Sequence, residues 1–296
     1  MSASDAAAPR PWRKLGVIAG AGPLPAKVLA AAHQAGREGY IVRLAGSGAR
    51  DEAGAPAADA VAGMGEAGRI IRLLKENDCD AVVLAGLVDR PDFSALKLDW
   101  RGAALLPRVV AAAARGDGAL LDLLVGVFEA EGFRVLGADE IIGDVAVGEG
   151  IQGAYAPLAD DLADMRKAAA LIDALGPFDV GQGAVVAGGL VLAVEAAEGT
   201  DAMLARVASL PSSVRGLGER KRRGVLVKRP KPGQELRVDL PTIGRRTIEG
   251  VRAAGLAGVA VEADRALMMD RDAALAEADA AEIFVYGFAP DALARK

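Results

Sequence analysis

An apolar run, Lys14–Ala19 (KLGVIA), leads straight into GAGPLP and then into a helix-patterned stretch over 24–35. Strand, glycine-bearing loop and helix in that order admit few folds. The strand must be buried beside parallel neighbours, and the helix must cross back over them. The following residues extend the scheme: a strand over 40–45 (YIVRLA), a stub at Ala60–Gly63, and a helix from Gly65 to Asn77 that buries Ile70, Ile71, Leu73 and Leu74. Residues 80–85 (DAVVLA) are almost uniformly apolar, as a strand covered on both faces should be, and they end in Gly86. The chain breaks at Asp89-Arg90-Pro91, then gives two helices, 103–115 and 117–131, parted by Gly116. A strand at 133–136 and a short turn at 139–142 close the first half. The expected fold is α/β: a disordered lead-in over 1–13, a Rossmann-like parallel-sheet domain over 14–147, a glycine-rich linker over 148–157 and a second α/β domain over 158–296.

The second half opens with a helix over 158–175 that carries Asp160, Asp161 and Asp164 in its first turns. Helix capping on a solvated face accounts for those acids. Residues 181–204 (GQGAVVAGGLVLAVEAAEGTDAML) form an apolar, strand-like run ending in Glu195, Glu198, Thr200 and Asp201, with a helix from Asp201 to about Leu210. A polar, basic connection over 211–223 precedes the strand Val225–Lys228. The turn VKRPKPG then leads to VDLPTIG, read as an extended piece that delivers Asp239 just before a proline. A helix from Thr242 or Gly244 to Ala254 follows, with further strands near 259–261, 266–268 and 283–286.

Composition removes several function classes. A net charge of -5 argues against bulk nucleic-acid binding. No window supplies the roughly 18 consecutive apolar residues of a spanning helix, although 52% of the chain is hydrophobic, much of it alanine. The N-terminus has no apolar core of the kind a signal peptide needs. The single cysteine, Cys79, cannot make an internal disulfide, which suits a reducing cytosol. The single histidine, His33, excludes a His-rich metal centre; a place on an alanine-rich helix face is the usual reading for it.

GAGPLP departs from a dinucleotide fingerprint. Pro25 stands where the third glycine belongs, and Leu44-Ala45-Gly46 stands where a ribose-binding acid would follow the second strand. An NAD-dependent oxidoreductase is therefore disfavoured. The loops at Ala21-Gly22, Gly65 and Gly86 can still line a crevice with backbone N–H groups, or be tight turns and nothing more. In the second half, carboxylates at element ends (Glu195, Glu198, Asp201 and Asp239) near Lys228, Arg229 and Lys231 suggest oxygen ligands for a hard cation beside a phosphate. Simpler readings exist for each: Asp239 as a helix cap, Thr200-Asp201 as an ordinary helix start, Glu195 and Glu198 as the polar end of a strand, and the three cations as a solvated edge.

GAGPLP, NDCDAVVLAG with the RPDF that follows it, EGTDAML, VLVKRPKPGQ and RVDLPTIG together resemble the LpxI family of UDP-2,3-diacylglucosamine pyrophosphatases, over nearly the whole chain from Lys14 to about Pro290. The resemblance implies a lipid A pathway enzyme of Gram-negative bacteria, cytoplasmic and peripheral to the inner membrane, with a C-terminal domain of the family's own type. It implies hydrolysis of UDP-2,3-diacylglucosamine to lipid X and UMP, with water attacking the phosphorus next to the sugar. The implied cofactor is a divalent cation, Mg²⁺ or another such as Mn²⁺. On this reading Asp239 is the principal metal ligand or water-orienting base, Asp201 and Glu198 are further metal candidates, and Lys228 stabilises developing phosphate charge. Thr200 and Gln182 hydrogen-bond phosphate or sugar, and the uridine lies against Ala21, Gly22, Gly65 and Gly86. The acyl chains ask for an apolar tunnel in the second domain and transient contact with the membrane surface. A homodimer is compatible with all of this. The rival reading is a nucleotide-sugar or sugar-phosphate binding protein that does not hydrolyse its ligand.

Overall fold

Lys14–Ala19 (β1) is the centre of a five-stranded, fully parallel sheet with Glu38–Ala45 (β2), Ala60–Gly63 (β3), Ala81–Ala85 (β4) and Arg134–Val135 (β5), in the order β3-β2-β1-β4-β5. Every connection must therefore cross over. The helices Leu24–Gln34 (α1), Ala67–Glu76 (α2), Trp100–Ala113 (α3), Asp117–Ala130 (α4) and Ala138–Ile142 (α5) make or follow those crossovers, α1 packing with α5 and α2 with α3. The apolar residues of β1 and β4 are buried almost throughout, as strands covered on both faces require. The computed structural model describes residues 11–45, 57–89, 92–143, 145–216, 221–291 and 293. The lead-in over 1–10, Gly46 and the Arg90-Pro91 break lie outside the described residues. Contacts divide the chain into two compact units, 1–114 with 119–142, and 115–118 with 143–296.

The second unit is a three-layer sandwich. Its six-stranded sheet runs Gly150–Ile151 (β6), Phe284–Phe288 (β13), Gly258–Glu262 (β11), Val225–Lys228 (β9), Gly183–Ala187 (β7) and Leu190–Val194 (β8) in spatial order. β9, β11 and β13 are parallel, and β6, β7 and β8 are antiparallel to their neighbours. Side chains alternate across it. Val185, Leu226, Val259, Val261 and Val285 face Gly199–Ser209 (α7), Arg245–Ala253 (α8) and Arg271–Ala280 (α9), while Ala184, Val186, Val225, Val227 and Ala260 face Ala159–Leu175 (α6). A short parallel pair, Thr242–Ile243 (β10) and Leu267–Met268 (β12), stands apart. Among the described residues no helix is long and apolar enough to cross a membrane.

Several expectations need correction. Residues 11–13 are anchored: Trp12 lies under the Arg37 guanidinium at 3.9 Å, and the Arg13 N–H donates to Asp80. The turn at 139–142 is the helix α5, because Glu140 reaches back to accept from the Gly137 N–H at its start. The 148–157 linker supplies β6, an edge strand paired to β13. The run over 181–195 is a hairpin, not one strand, because Gly188 and Gly189 both have positive φ and turn β7 into β8. Asp164 is not on a solvated face. It is buried and accepts from the Gly188 and Gly189 N–H groups at 2.8 and 2.7 Å, tying α6 to that turn. Asp161 is buried too, accepting from the Leu158 N–H at the helix start.

Candidate active site

Ligand sites in parallel α/β sheets gather at the carboxyl ends of the strands. In the second unit that edge carries Lys228 at the end of β9 and Glu262 at the end of β11. The loop from Arg229 to Pro241 leaves the same edge. It is held as a folded turn, not the extended piece expected: Asp239 N–H donates to Glu235 O at 3.2 Å, and the Gln234 amide donates to Asp239 O. Asp239 is not a helix cap either, since α8 starts at Arg245 with Gly244 in the capping position.

Lys228, Arg229 and Lys231 do not form a solvated edge. The Lys228 side chain is 7% exposed; its Nζ donates to Thr200 Oγ1 at 2.7 Å and Thr242 O at 3.3 Å, and lies 3.9 Å from Glu195 Oε2. Arg229 bridges Asp173 at 2.9 Å and Glu262 at 2.7 Å. Lys231 pairs with Asp179. Arg229, Lys231, Gln234, Glu262 and Arg265 help to line a cleft of about 230 Å³ on this face.

Asp239 sits in the field of these groups. Burial pushes its carboxyl above the ordinary carboxylate range; a side-chain hydrogen bond from Gln182 and the charges of Lys231 and Lys228 pull it down, and Asp179 pushes it up again. Asp239, Lys228 and Gln182 are thus brought to one place. Thr200 joins them in a different role. Its hydroxyl accepts from Lys228 and spends its own proton on Glu195 Oε1 at 2.9 Å.

The other two metal candidates go elsewhere. Glu198 precedes α7 and pairs with Arg206 at 2.9 Å; its own backbone N–H and Arg206 hold its carboxyl below the usual range. Asp201 is exposed in the first turn of α7. Among the described residues no three Asp, Glu, His or Cys gather as a metal-ligating group, so Asp239, Asp201 and Glu198 do not make a cage. Sequence reasoning passed over Asp173, Asp179 and Glu262. Three cations clustered beside an apolar strand need buried acid partners, and acids at element ends are where to look for them.

In the first unit, Ala21, Gly22, Gly65 and Gly86 all lie just past the carboxyl ends of strands. The Ala21 and Leu87 backbones exchange two hydrogen bonds, at 2.7 and 2.8 Å, which zip the β1 and β4 loops together. Gly86 has φ 97°, and a Cβ there would lie 2.6 Å from Ala21 O. Gly65 abuts Lys97 and Leu98, a Cβ there lying 2.8 Å from Leu98 Cδ2. Gly65 and Gly86 therefore each have a packing reason for lacking a side chain, and Gly22 has its positive φ of 89°. His33 is exposed on α1, as expected. Cys79 is buried, and burial pushes its thiol up to about 11, far from a reactive thiolate.

Comparison with known proteins places both halves. Residues 14–145 match the LpxI N-terminal domain and residues 148–286 the LpxI C-terminal domain. The chain is 49% identical over 278 residues to UDP-2,3-diacylglucosamine pyrophosphatase LpxI of Caulobacter vibrioides, a match that covers 94% of this chain and 98% of that protein.

Proposed function

The chain belongs to the LpxI family, and on that premise we propose that it hydrolyses the pyrophosphate bond of UDP-2,3-diacylglucosamine, releasing UMP and lipid X. The observation that carries the reading is that a half-buried Asp239 carboxylate lies within the electrostatic field of Lys228 and Lys231 at the carboxyl edge of the second sheet. Hydrolysis of a pyrophosphate diester is slow because its anionic oxygens repel the electron pair of an attacking nucleophile. Lys228, fixed at the floor of the site by Thr200 and Thr242, offsets charge that builds on phosphate as the bond breaks. Asp239, in its carboxylate form, orients the attacking water or accepts its proton, and Gln182 fixes the carboxylate's direction.

A divalent cation suits this donor set only in part. One carboxylate fits Mg²⁺, which takes one or two protein carboxylates, keeps several waters and uses substrate phosphates for the rest of its shell. Asp239 would hold it. When bound, such an ion neutralises phosphate charge and acidifies water. The loops at Ala21-Gly22, Gly65 and Gly86 are assigned to the uridine, in keeping with their place at the carboxyl edge of a parallel sheet. Two acyl chains on the substrate and product make cytoplasmic enzyme in transient contact with the inner membrane surface the natural setting.

The test is UMP release from UDP-2,3-diacylglucosamine, with Mg²⁺ and with EDTA, by the parent protein and by folded Asp239→Ala. Metal-dependent release that collapses in the variant is expected. Robust release by the variant would remove Asp239 from the chemistry, and binding without release by the parent would favour a non-hydrolytic binding protein.

A further inference from the structure

Glu195 is a buried acid that the reaction above does not use. Its side chain is 13% exposed, it lies one residue past β8, and it is wedged against β7. The Glu195 N–H donates to Gly183 O at 2.8 Å, and a Cβ on Gly183 would lie 2.5 Å from Glu195 Oε2. A Cβ on Gly181 would collide with the Glu195 carbonyl. The two glycines that flank Gln182 are therefore the space in which Glu195 sits.

The carboxylate has two oxygens with different occupations. Oε1 accepts the Thr200 hydroxyl proton. Oε2 accepts no hydrogen bond from a described protein group, and its charge partner is Lys228 at 3.9 Å. Because Thr200 has only one proton, and Glu195 takes it, the lone pair that Thr200 turns to Lys228 has a fixed direction. The order Lys228 → Thr200 → Glu195 is thus set from its acid end. An Asp or a Gln on a flexible loop would not do this; here β9 fixes Lys228, α7 fixes Thr200 and the end of β8 fixes Glu195.

We propose that Glu195 is a positioning residue for Lys228. Acting through Thr200, and by direct attraction, it holds the ammonium in the orientation that meets the reacting phosphate. The proposal rests on the reading of Lys228 given above, but its structural half does not depend on turnover. It also reassigns Thr200: with its proton committed to Glu195, Thr200 aligns the lysine and does not donate to substrate.

Glu195→Gln keeps the size of the side chain and an acceptor for Thr200 while removing the charge, so the fold is retained. We expect kcat for UMP release to fall at least ~10-fold with KM changed less than ~3-fold, since an ammonium aimed at the transition state contributes little to ground-state binding. In a Lys228→Met background the same change should cost less than ~2-fold further, because its route runs through the lysine. The second readout is the nitrogen-15 spectrum of lysine side-chain ammonium groups, with Lys228 assigned by its loss in Lys228→Met. Its resonance should shift or broaden in both Glu195→Gln and Thr200→Val. An unchanged resonance, or losses that multiply in the double variant, would overturn the proposal. If the parent releases no UMP, the functional reading fails, and the spectrum alone still decides whether Glu195 fixes Lys228.

Discussion

Asp239 is held in a form that its surroundings resist. A carboxyl raised by burial contributes stability below its unfolded value, and that contribution is lost as pH rises through the raised folded value. Above that folded value the ionised Asp239 is therefore a cost to the fold, and Asp239→Asn is expected to raise Tm at a pH above it relative to the parent while UMP release is lost. A lower Tm at that pH would mean that the pull of Lys228 and Lys231 outweighs desolvation. Gln182 works in the opposite sense to burial, since its hydrogen bond favours the carboxylate. Gln182→Leu should therefore move the Asp239 titration further up, measured by carbon-13 carboxyl shifts in cation-free buffer. The acid limb of activity should move up with it. A downward shift would show that Gln182 serves the protonated acid instead.

At the scale of elements, close approaches decide which substitutions matter. Gly22 and Gly86 both have positive φ, but a Cβ on Gly22 meets nothing within 4 Å, whereas on Gly86 it would meet Ala21 O at 2.6 Å. Gly22→Ala should cost about 1 kcal/mol of backbone strain, and Gly86→Ala roughly 2–4 kcal/mol because the zipped β1 and β4 loops must part; equal losses in urea unfolding would refute the distinction. Asp164 is the matching case in the second unit. Asp164→Ala removes two short bonds from the Gly188 and Gly189 amides and should cost about 2–4 kcal/mol by the same measurement. The parallel strands were legible in advance because β1 and β4 are apolar without alternation, which leaves only a doubly covered sheet. The β7–β8 hairpin was not, because GG within an apolar run reads as a weak point in one strand until both φ values are known. The polar, basic connection over 211–223 gives no sign of its partners in sequence, yet Arg215 donates to Ala254 O and Arg222 to Arg252 O and Ala281 O, at the carbonyl ends of α8 and α9. In the site, the motifs marked Asp239, Lys228 and Gln182; the buried acid partners depend on contacts between elements far apart in sequence, which spacing does not encode.

For the whole molecule, the cation and carboxylate groups of the candidate site all belong to the unit over 143–296, and the glycine loops assigned to the nucleotide all belong to the other. The second unit has apolar clusters on both faces of its sheet, built from its own strands and helices. A piece spanning 143–296 should therefore unfold in one cooperative transition and keep the Lys228 ammonium resonance, since Glu195, Thr200, Lys228 and Thr242 all come with it. Chemistry is another matter. Contacts to a part of the substrate remote from the scissile bond supply free energy that is realised at the reacting phosphorus. Without the loops proposed for the uridine, the piece should lose at least ~100-fold in kcat/KM on UDP-2,3-diacylglucosamine while its folded site is intact. If the piece turned over as well as the full chain, the loops at Ala21, Gly22, Gly65 and Gly86 would have no part in the reaction, and their glycines would be explained by packing and backbone conformation alone. If it failed to fold, the reading that the second unit carries its own core would be wrong.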